Sequence, residues 1–231
     1  MRNFDMPGRS AAYGARGMAA TSAPPATLAA MRGMKAEGGW AVVCTEMVEI
    51  HHTADVAPFV ELRLWSDHDI PMLARIAEKI HAHSSLAGIE LCHSGYTANN
   101  LWTREVPMSA SPMPTSSYNY DPVQARGMDK EDIRNLRHWH RLAYRRAKRA
   151  GYDILCLYGA HGFGVIQHFL SPRTNQRTDE YGGSIENRLR LLGEVIEAVC
   201  KVFSSDKVGV RLSPYGTFND MGDSDPVALF T

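Results

Sequence analysis

Tyr152-Asp-Ile-Leu-Cys-Leu-Tyr158 and Val208-Gly-Val-Arg-Leu212 are two short apolar runs of strand length, and a helical segment lies between them. That segment starts at Ser184 and repeats apolar residues in steps of three and four, which predicts a helix with one buried face. The predicted face consists of Ile185, Leu189, Leu192, Ile196, Val199 and Phe203. Strand, helix and strand in this order predict parallel strands whose sheet is covered by helices.

The same alternation extends towards the N-terminus. Trp40–Thr45 and Leu86–Cys92 are further apolar runs that predict buried strands. Asp67 opens a predicted helix with Pro71 in its first turn, and a longer helix is predicted for Asp129–Ala150. The face expected to be buried in the longer helix consists of Ile133, Leu136, His140, Ala143 and Ala147.

Two segments show no regular period. Residues 1–30 are rich in Ala, Gly, Ser, Met and Pro, which predicts an irregular lead-in to a domain of residues 31–231. A long loop is predicted after Cys92 and is interrupted by prolines at four positions: Pro107, Pro112, Pro114 and Pro122. Loops of this length in a compact domain are usually functional.

Composition excludes several classes of partner. The chain has 231 residues, 44% of them hydrophobic, and 25 Lys+Arg balance 25 Asp+Glu. A neutral chain gives no electrostatic reason to expect nucleic acid or an anionic membrane as partner. No apolar run approaches the roughly 20 residues that span a bilayer, and no secretory signal is evident. We therefore expect a cytoplasmic protein.

Four scattered cysteines show no metal-binding spacing. Cys44, Cys92 and Cys156 lie within apolar runs, where a free thiol behaves as a small hydrophobe. We expect buried, reduced cysteines and no metal site.

Polar residues follow or end each predicted strand. Ligands of parallel α/β folds bind at the carboxyl ends of strands, so these residues predict a functional site. The four strand ends are Cys44-Thr-Glu46, Glu90-Leu-Cys-His93, Tyr158-Gly-Ala-His161 and Arg211-Leu-Ser213.

Four residues at these ends are the candidates for chemistry. Tyr158 and His161 can exchange a proton with a substrate heteroatom, and we predict that they are catalytic. Arg211 lies inside an apolar strand, where an unpaired cation is costly, so it needs an anionic partner. A structural carboxylate or an electron-rich cofactor would satisfy it. Glu90 is a similar anomaly, and it could pair with Arg211 or bind the cofactor.

Long motifs resemble the old yellow enzyme family of FMN oxidoreductases. They are Phe169-Leu-Ser-Pro172, Asn175–Arg188 and Val208-Gly-Val-Arg-Leu-Ser-Pro-Tyr-Gly216. Lys35-Ala-Glu-Gly-Gly-Trp40, Glu90 and Tyr158–His161 are most similar to the branch of trimethylamine, dimethylamine and histamine dehydrogenases.

The resemblance implies a (β/α)8 barrel with FMN at the carboxyl ends of its strands. Arg211 would contact the pyrimidine side of the flavin, Glu90 its N3 edge, and Tyr158 and His161 would face the substrate. The tyrosine proton donor of the ene-reductase branch is replaced by Phe163. No cysteine precedes Cys44, whereas the amine dehydrogenases link FMN to a cysteine near the first strand, so we expect FMN to be non-covalent.

The implied function is oxidation of a small amine by hydride transfer to flavin, with an electron acceptor as second partner. NAD(P)H-dependent reduction of an activated alkene is the alternative. The barrel is expected to be incomplete, with about five β/α units, so a non-catalytic fragment is a third interpretation. Homo-oligomerisation stays open.

Overall fold

The first element described is a helix. The structure is a computed structural model that describes residues 25–55, 62–98, 100, 103–114, 124–217, 222–223 and 225–230. Helix α1 spans Pro25–Glu37, so the irregular lead-in predicted for residues 1–30 is wrong at its end, while residues 1–24 lie outside the described part. The Ala, Leu and Met residues of this segment favour helix, and proline is tolerated in a first helical turn.

Five parallel strands form the main sheet. The strands of the described chain are β1 (Val42–Glu49), β2 (Leu62–Arg63), β3 (Leu86–Cys92), β4 (Met108–Ser109), β5 (Met113–Pro114), β6 (Gln124–Gly127), β7 (Ile154–Gly159) and β8 (Val208–Leu212). The order across the main sheet is β2-β1-β3-β7-β8, and every neighbouring pair is parallel. The predicted parallel sheet is confirmed.

Six α-helices precede, connect or follow these strands in the described part of the chain. They are α1, α2 (Ile70–His81), α3 (Lys130–Arg149), α4 (Val165–Leu170), α5 (Ile185–Cys200) and α6 (Pro226–Phe230). Caps set the predicted starts of two of them: the Asp129 carboxylate accepts the Asp132 amide before α3, and the Ser184 hydroxyl accepts the Asn187 amide before α5. Helix α4 was not predicted, because its six residues are too few to show a period.

The predicted long loop contains a small sheet. Strands β4, β6 and β5 lie side by side in that order, with β6 parallel to β4 and antiparallel to β5. Strands of two residues, one of them ending in Pro114, are too short to show the alternation that marks a strand in a sequence.

The buried faces of the two long helices were predicted unequally well. All five residues predicted for α3 are at most 1% exposed. Helix α5 instead buries Arg188, Leu191, Leu192, Val195 and Val199, while the predicted Ile185, Leu189 and Ile196 are only partly buried. The stripe is therefore rotated from the prediction. The prediction failed because Arg188 is on the buried face, where a sequence pattern of apolar residues does not place an arginine.

The cysteines are free, but they are not uniformly buried. Cys92 is buried, Cys156 and Cys200 are half-buried, and Cys44 is exposed. Cys44 lies on β1 opposite Gly88 of β3, where an added Cβ would come within 2.3 Å of its Sγ. The prediction of burial is wrong for Cys44, because its side chain lies on a face that the described residues leave open.

The main sheet stays open in the described ranges, with β2 and β8 at opposite ends. Five parallel strands with crossover helices agree with the predicted incomplete (β/α)8 type. None of the helices described is long and apolar enough to cross a bilayer.

Candidate functional site

The register of three strands brings the four predicted site residues together. Tyr158 of β7 lies opposite Arg211 of β8, and Cys156 of β7 lies opposite Glu90 of β3. Residues 156 and 158 are two apart on β7, so they face the same side of the sheet. Glu90, Arg211 and Tyr158 consequently share one face near the carboxyl ends of their strands.

Arg211 and Glu90 form an ion pair. Arg211 Nη1 lies 3.1 Å from both carboxylate oxygens of Glu90, whose side chain is 8% exposed, against 49% for Arg211. Burial alone would lower the pKa of the Arg211 guanidinium, but the Glu90 carboxylate outweighs it and raises that pKa. The sequence left two partners open for Arg211 and for Glu90, a residue or a cofactor, and the structure shows that the two side chains bind each other.

Tyr158 and His161 form a hydrogen-bonded pair. Tyr158 Oη lies 2.8 Å from His161 Nδ1. Burial, followed by the positive charge of Arg211, lowers the pKa of the His161 imidazole below its usual value, while Glu90 acts in the opposite direction. A neutral imidazole bonded to a phenol can hold a proton at Tyr158 Oη or at His161 Nδ1.

The two pairs are in contact through the tyrosine ring. The Arg211 guanidinium carbon lies 5.6 Å from the centre of the Tyr158 ring, within the range of a cation–π contact. A small apolar cluster of Cys92, Tyr158 and Ala160, with Met47 and Phe163 packed on it, lies beside this contact. The site therefore combines one cation, one proton-handling pair and an apolar wall.

Two predicted strand ends have other roles. Thr45 and Glu46 are not the end of a strand, because β1 continues to Glu49 through an irregularity between Cys44 and Met47. The Thr45 hydroxyl accepts the Glu90 amide, 3.1 Å away, and so replaces a backbone acceptor at the bulge. Thr45 thereby helps to fix Glu90.

His93 follows β3, but its side chain is buried and binds other buried groups. Its Nδ1 accepts the Gly95 amide, and its Nε2 lies 2.9 Å from Thr53 Oγ1, which in turn lies 2.9 Å from His51 Nδ1. Burial lowers the pKa of His93 to about 3 and that of His51 to about 2. Because a backbone amide occupies Nδ1 of His93, the row of hydrogen bonds from His51 through Thr53 ends at this ring. We therefore assign His93 a structural role. The sequence His51-His52 did not predict this hydrogen-bonded row.

Comparison with known proteins identifies the family. The family model for NADH:flavin oxidoreductase / NADH oxidase proteins matches residues 11–230. The chain belongs to this family. The chain is 33% identical over 198 residues to dimethylamine dehydrogenase of Hyphomicrobium sp. (strain x) and 36% identical over 180 residues to NADPH dehydrogenase of Halalkalibacterium halodurans.

Solved structures agree with this assignment. Histamine dehydrogenase from Rhizobium sp. 4-9 is 53% identical, with a TM-score of 0.77 over 81% of this chain. Morphinone reductase is 28% identical, with a TM-score of 0.81 over 93% of this chain. These barrel oxidoreductases confirm the predicted fold type and the predicted resemblance, and the flavin that names the family agrees with the predicted FMN.

The chain spans only part of each relative. It covers 26% of dimethylamine dehydrogenase, 50% of the NADPH dehydrogenase, 29% of histamine dehydrogenase and 60% of morphinone reductase. The relatives include both amine dehydrogenases and NAD(P)H-dependent reductases, so family membership leaves the reaction of this chain open.

The donors at the site fit the family's cofactor. Arg211 donates to Glu90 through Nη1, and its side chain is half-exposed. Among the described residues, its other guanidinium N–H groups can therefore donate to a further acceptor. A flavin presents such an acceptor edge at N1 and O2. A cation at that edge stabilises the reduced, anionic ring. Within the described residues, no group of three or more His, Cys, Asp or Glu side chains could hold a metal.

The long motif Asn175–Arg188, called the signature below, connects loops to the scaffold. Arg177 donates to the carbonyls of Ala110 and Met128, which directly follow β4 and β6, and pairs with Asp179 at 2.6 Å. The hydrogen bond from Arg177 lowers the pKa of the Asp179 carboxyl. Asn175 Nδ2 lies 2.7 Å from the carbonyl of Phe169.

Arg188 ends the signature as part of a buried ion pair. Its Nη1 donates to the Leu170 carbonyl and to Asp223 Oδ2, each at 2.8 Å, and the two side chains are 7% and 6% exposed. These residues of the signature therefore build the scaffold, and the candidate site residues Glu90, Tyr158, His161 and Arg211 lie outside it.

Proposed function

We propose that this protein is a flavin-dependent oxidoreductase that uses non-covalent FMN to oxidise a small amine. The observation that supports it best is the Tyr158–His161 hydrogen bond of 2.8 Å at the end of β7, beside Arg211. The same pair was the feature that favoured the amine dehydrogenase branch in the sequence.

The residues have distinct tasks in this proposal. Arg211 would bind the pyrimidine side of FMN, and Glu90 would orient Arg211 through the 3.1 Å ion pair. When bound, FMN would supply the acceptor for a hydride from the carbon next to the amine nitrogen. A small amine is protonated at neutral pH, and its nitrogen lone pair must be free before that hydride can leave.

The Tyr158–His161 pair would remove this proton. Because the pKa of His161 is lowered, the imidazole is neutral near pH 7 and can accept a proton at Nδ1 through the Tyr158 hydroxyl. Cys92, Met47 and Phe163 would exclude water from the reacting carbon. Water would then hydrolyse the iminium product to an aldehyde or ketone, with release of ammonia from a primary amine or of a smaller amine from a secondary or tertiary one.

NAD(P)H-dependent reduction of an activated alkene is the second candidate. The 36% identity to an NADPH dehydrogenase favours it. Phe163, which carries no hydroxyl, stands where the resemblance placed the proton donor of the ene-reductases. Tyr158 would have to donate that proton instead.

Spectroscopy of the purified protein separates the candidates. A yellow protein whose flavin is bleached anaerobically by dimethylamine, trimethylamine or histamine, and not by NADPH, is the expected result. Bleaching by NADPH alone would favour the alkene reductase. A colourless protein that takes up no added FMN would contradict both and favour the non-catalytic fragment.

Removal of the cation should weaken cofactor binding. Arg211→Ala is expected to raise the dissociation constant for FMN by roughly 10- to 100-fold, which corresponds to one or two charge-assisted hydrogen bonds. Fluorescence titration of the apoprotein with FMN measures it. The control is Arg134→Ala, which removes an exposed arginine from α3. Equal affinities in the two variants would exclude Arg211 from the flavin site.

Removal of the phenol should slow the chemistry and leave FMN bound. Tyr158→Phe is expected to lower the rate of flavin reduction by amine by about 100-fold, the lower range for loss of a general acid–base group. Stopped-flow absorbance measures the rate. Tyr215→Phe is the control, since Tyr215 is 75% exposed. An unchanged rate in Tyr158→Phe would refute its role.

A further inference from the structure

The turn that carries His161 has an unusual backbone. His161 and Gly162 have φ angles of 56° and 70°, so two consecutive residues are in the left-handed region. Glycine adopts this region freely, but a residue with a Cβ is strained there. Such a conformation persists only where surrounding contacts hold it.

Two side chains from outside the turn bind it at adjacent residues. Ser213 Oγ accepts the backbone N–H of His161, 3.3 Å away. His168 Nε2 donates to the carbonyl of Gly162, 2.8 Å away. His168 is fully buried, and burial lowers the pKa of its imidazole to about 4, so the ring is neutral and carries its proton on Nε2.

Strand pairing delivers Ser213 to this position. Gly159 of β7 pairs with Leu212 of β8, and each strand ends with that pair. Ser213 is the next residue after β8 and reaches the turn that follows β7. The side chain is half-buried, and its hydroxyl is neither a predicted catalytic group nor a predicted flavin ligand.

We infer that Ser213 is a positioning residue for His161. By accepting the His161 amide, its hydroxyl holds that residue in the left-handed conformation, which directs the imidazole Nδ1 to the Tyr158 hydroxyl. Without the hydroxyl, His161 relaxes to an ordinary conformation and the imidazole leaves Tyr158. The consequence for turnover rests on the proposed function, whereas the consequence for the backbone does not.

Amide hydrogen exchange tests the backbone directly. In the 15N-labelled full chain, the His161 amide is expected to exchange at least about fivefold faster in Ser213→Ala than in the wild type, since one hydrogen bond contributes about 1 kcal/mol. Ser213→Thr retains the hydroxyl and is expected to restore protection. Thr217→Ala, an exposed change in the same loop, is the control. Because His168 still holds Gly162, Ser213→Ala is expected to fold.

Flavin reduction tests the role of this position in the reaction. With whichever of dimethylamine, trimethylamine or histamine reduces the wild type, Ser213→Ala is expected to lower the limiting reduction rate by roughly 10- to 100-fold, as misplaced catalytic groups do. Amine affinity should change little, and Ser213→Thr should recover the rate.

Equal exchange of the His161 amide in the wild type and in Ser213→Ala would overturn the inference. So would faster exchange with an unchanged limiting rate, or a slow rate that Ser213→Thr does not recover. If no amine reduces the wild type, the proposed function fails, and the exchange comparison still decides whether Ser213 holds His161.

Discussion

Replacing Arg188 with Met is expected to lower the free energy of unfolding by about 3–5 kcal/mol. The change removes the guanidinium that pairs with Asp223, and this carboxylate is only 6% exposed. The carboxylate then keeps only the Asp225 amide as a hydrogen-bond donor among the described residues, which does not compensate for a buried charge without its cation. The Leu170 carbonyl also loses its donor. Urea denaturation followed by circular dichroism measures the change, and a loss of this size is a large part of the stability of an ordinary domain.

Two further variants identify the unpaired charge as the cause. Arg134→Met, on the exposed surface of α3, should change stability by no more than about 0.5 kcal/mol. The double variant Arg188→Met/Asp223→Leu should recover most of the loss, because replacement of both members of a buried pair by apolar groups is often neutral. If the double variant is no more stable than the single one, packing and not charge explains the effect.

Acidification from pH 7.5 to 5.5 is expected to remove at least about 4 kcal/mol of stability through three fully buried histidines, and the partly buried His51 adds to this loss. His93, His140 and His168 are each 1% exposed, and burial lowers their pKa values to about 3, 4 and 4. Below their ordinary pKa the unfolded chain binds protons that the folded chain excludes. The stability that these neutral histidines contribute is therefore present above their ordinary pKa of about 6.5 and is lost as the pH decreases below it. Between pH 7.5 and 5.5 the loss is about 1.4 kcal/mol for each histidine.

Urea denaturation at pH 7.5, 6.5 and 5.5 tests this dependence. His140→Gln is expected to reduce the acid-induced loss by about 1.4 kcal/mol, because one titrating group is removed. His83→Gln, which changes an exposed residue after α2, is the control and should keep the full loss. The same pH dependence in both variants would contradict the assignment to buried histidines.

Regular elements of the fold were predictable where the local sequence signal is strong. Strand β8 and helix α3 agree with the sequence patterns, since apolar runs and the Asp129 cap are local signals. The small sheet was missed because its strands have two to four residues. The stripe of α5 was misplaced because Arg188 is buried through a partner, Asp223, that lies 35 residues away in the chain.

The site was predictable in membership but not in arrangement. Polar residues at the ends of predicted strands identified Tyr158, His161, Glu90 and Arg211, and register then determined which of them meet. That Arg211 binds Glu90 depends on β7, which lies between their strands. Ser213 was named only as the end of a strand, because left-handed φ angles at residues 161 and 162 have no signature in the sequence.

The residues that hold the scaffold are separate from those of the proposed catalytic turn. The bonds of Asn175, Arg177 and Arg188 described above end outside the turn from Ala160 to Gly164. The side chains of His161 and Phe163 can therefore change without loss of these scaffold bonds. Gly162, which has a φ of 70°, and Gly164, where an added Cβ would lie 2.5 Å from the Tyr158 carbonyl oxygen, are fixed by the backbone. One frame can in this way carry different side chains at the same turn, and a designer who wishes to alter the proposed reaction would begin with positions 161 and 163 rather than with the barrel.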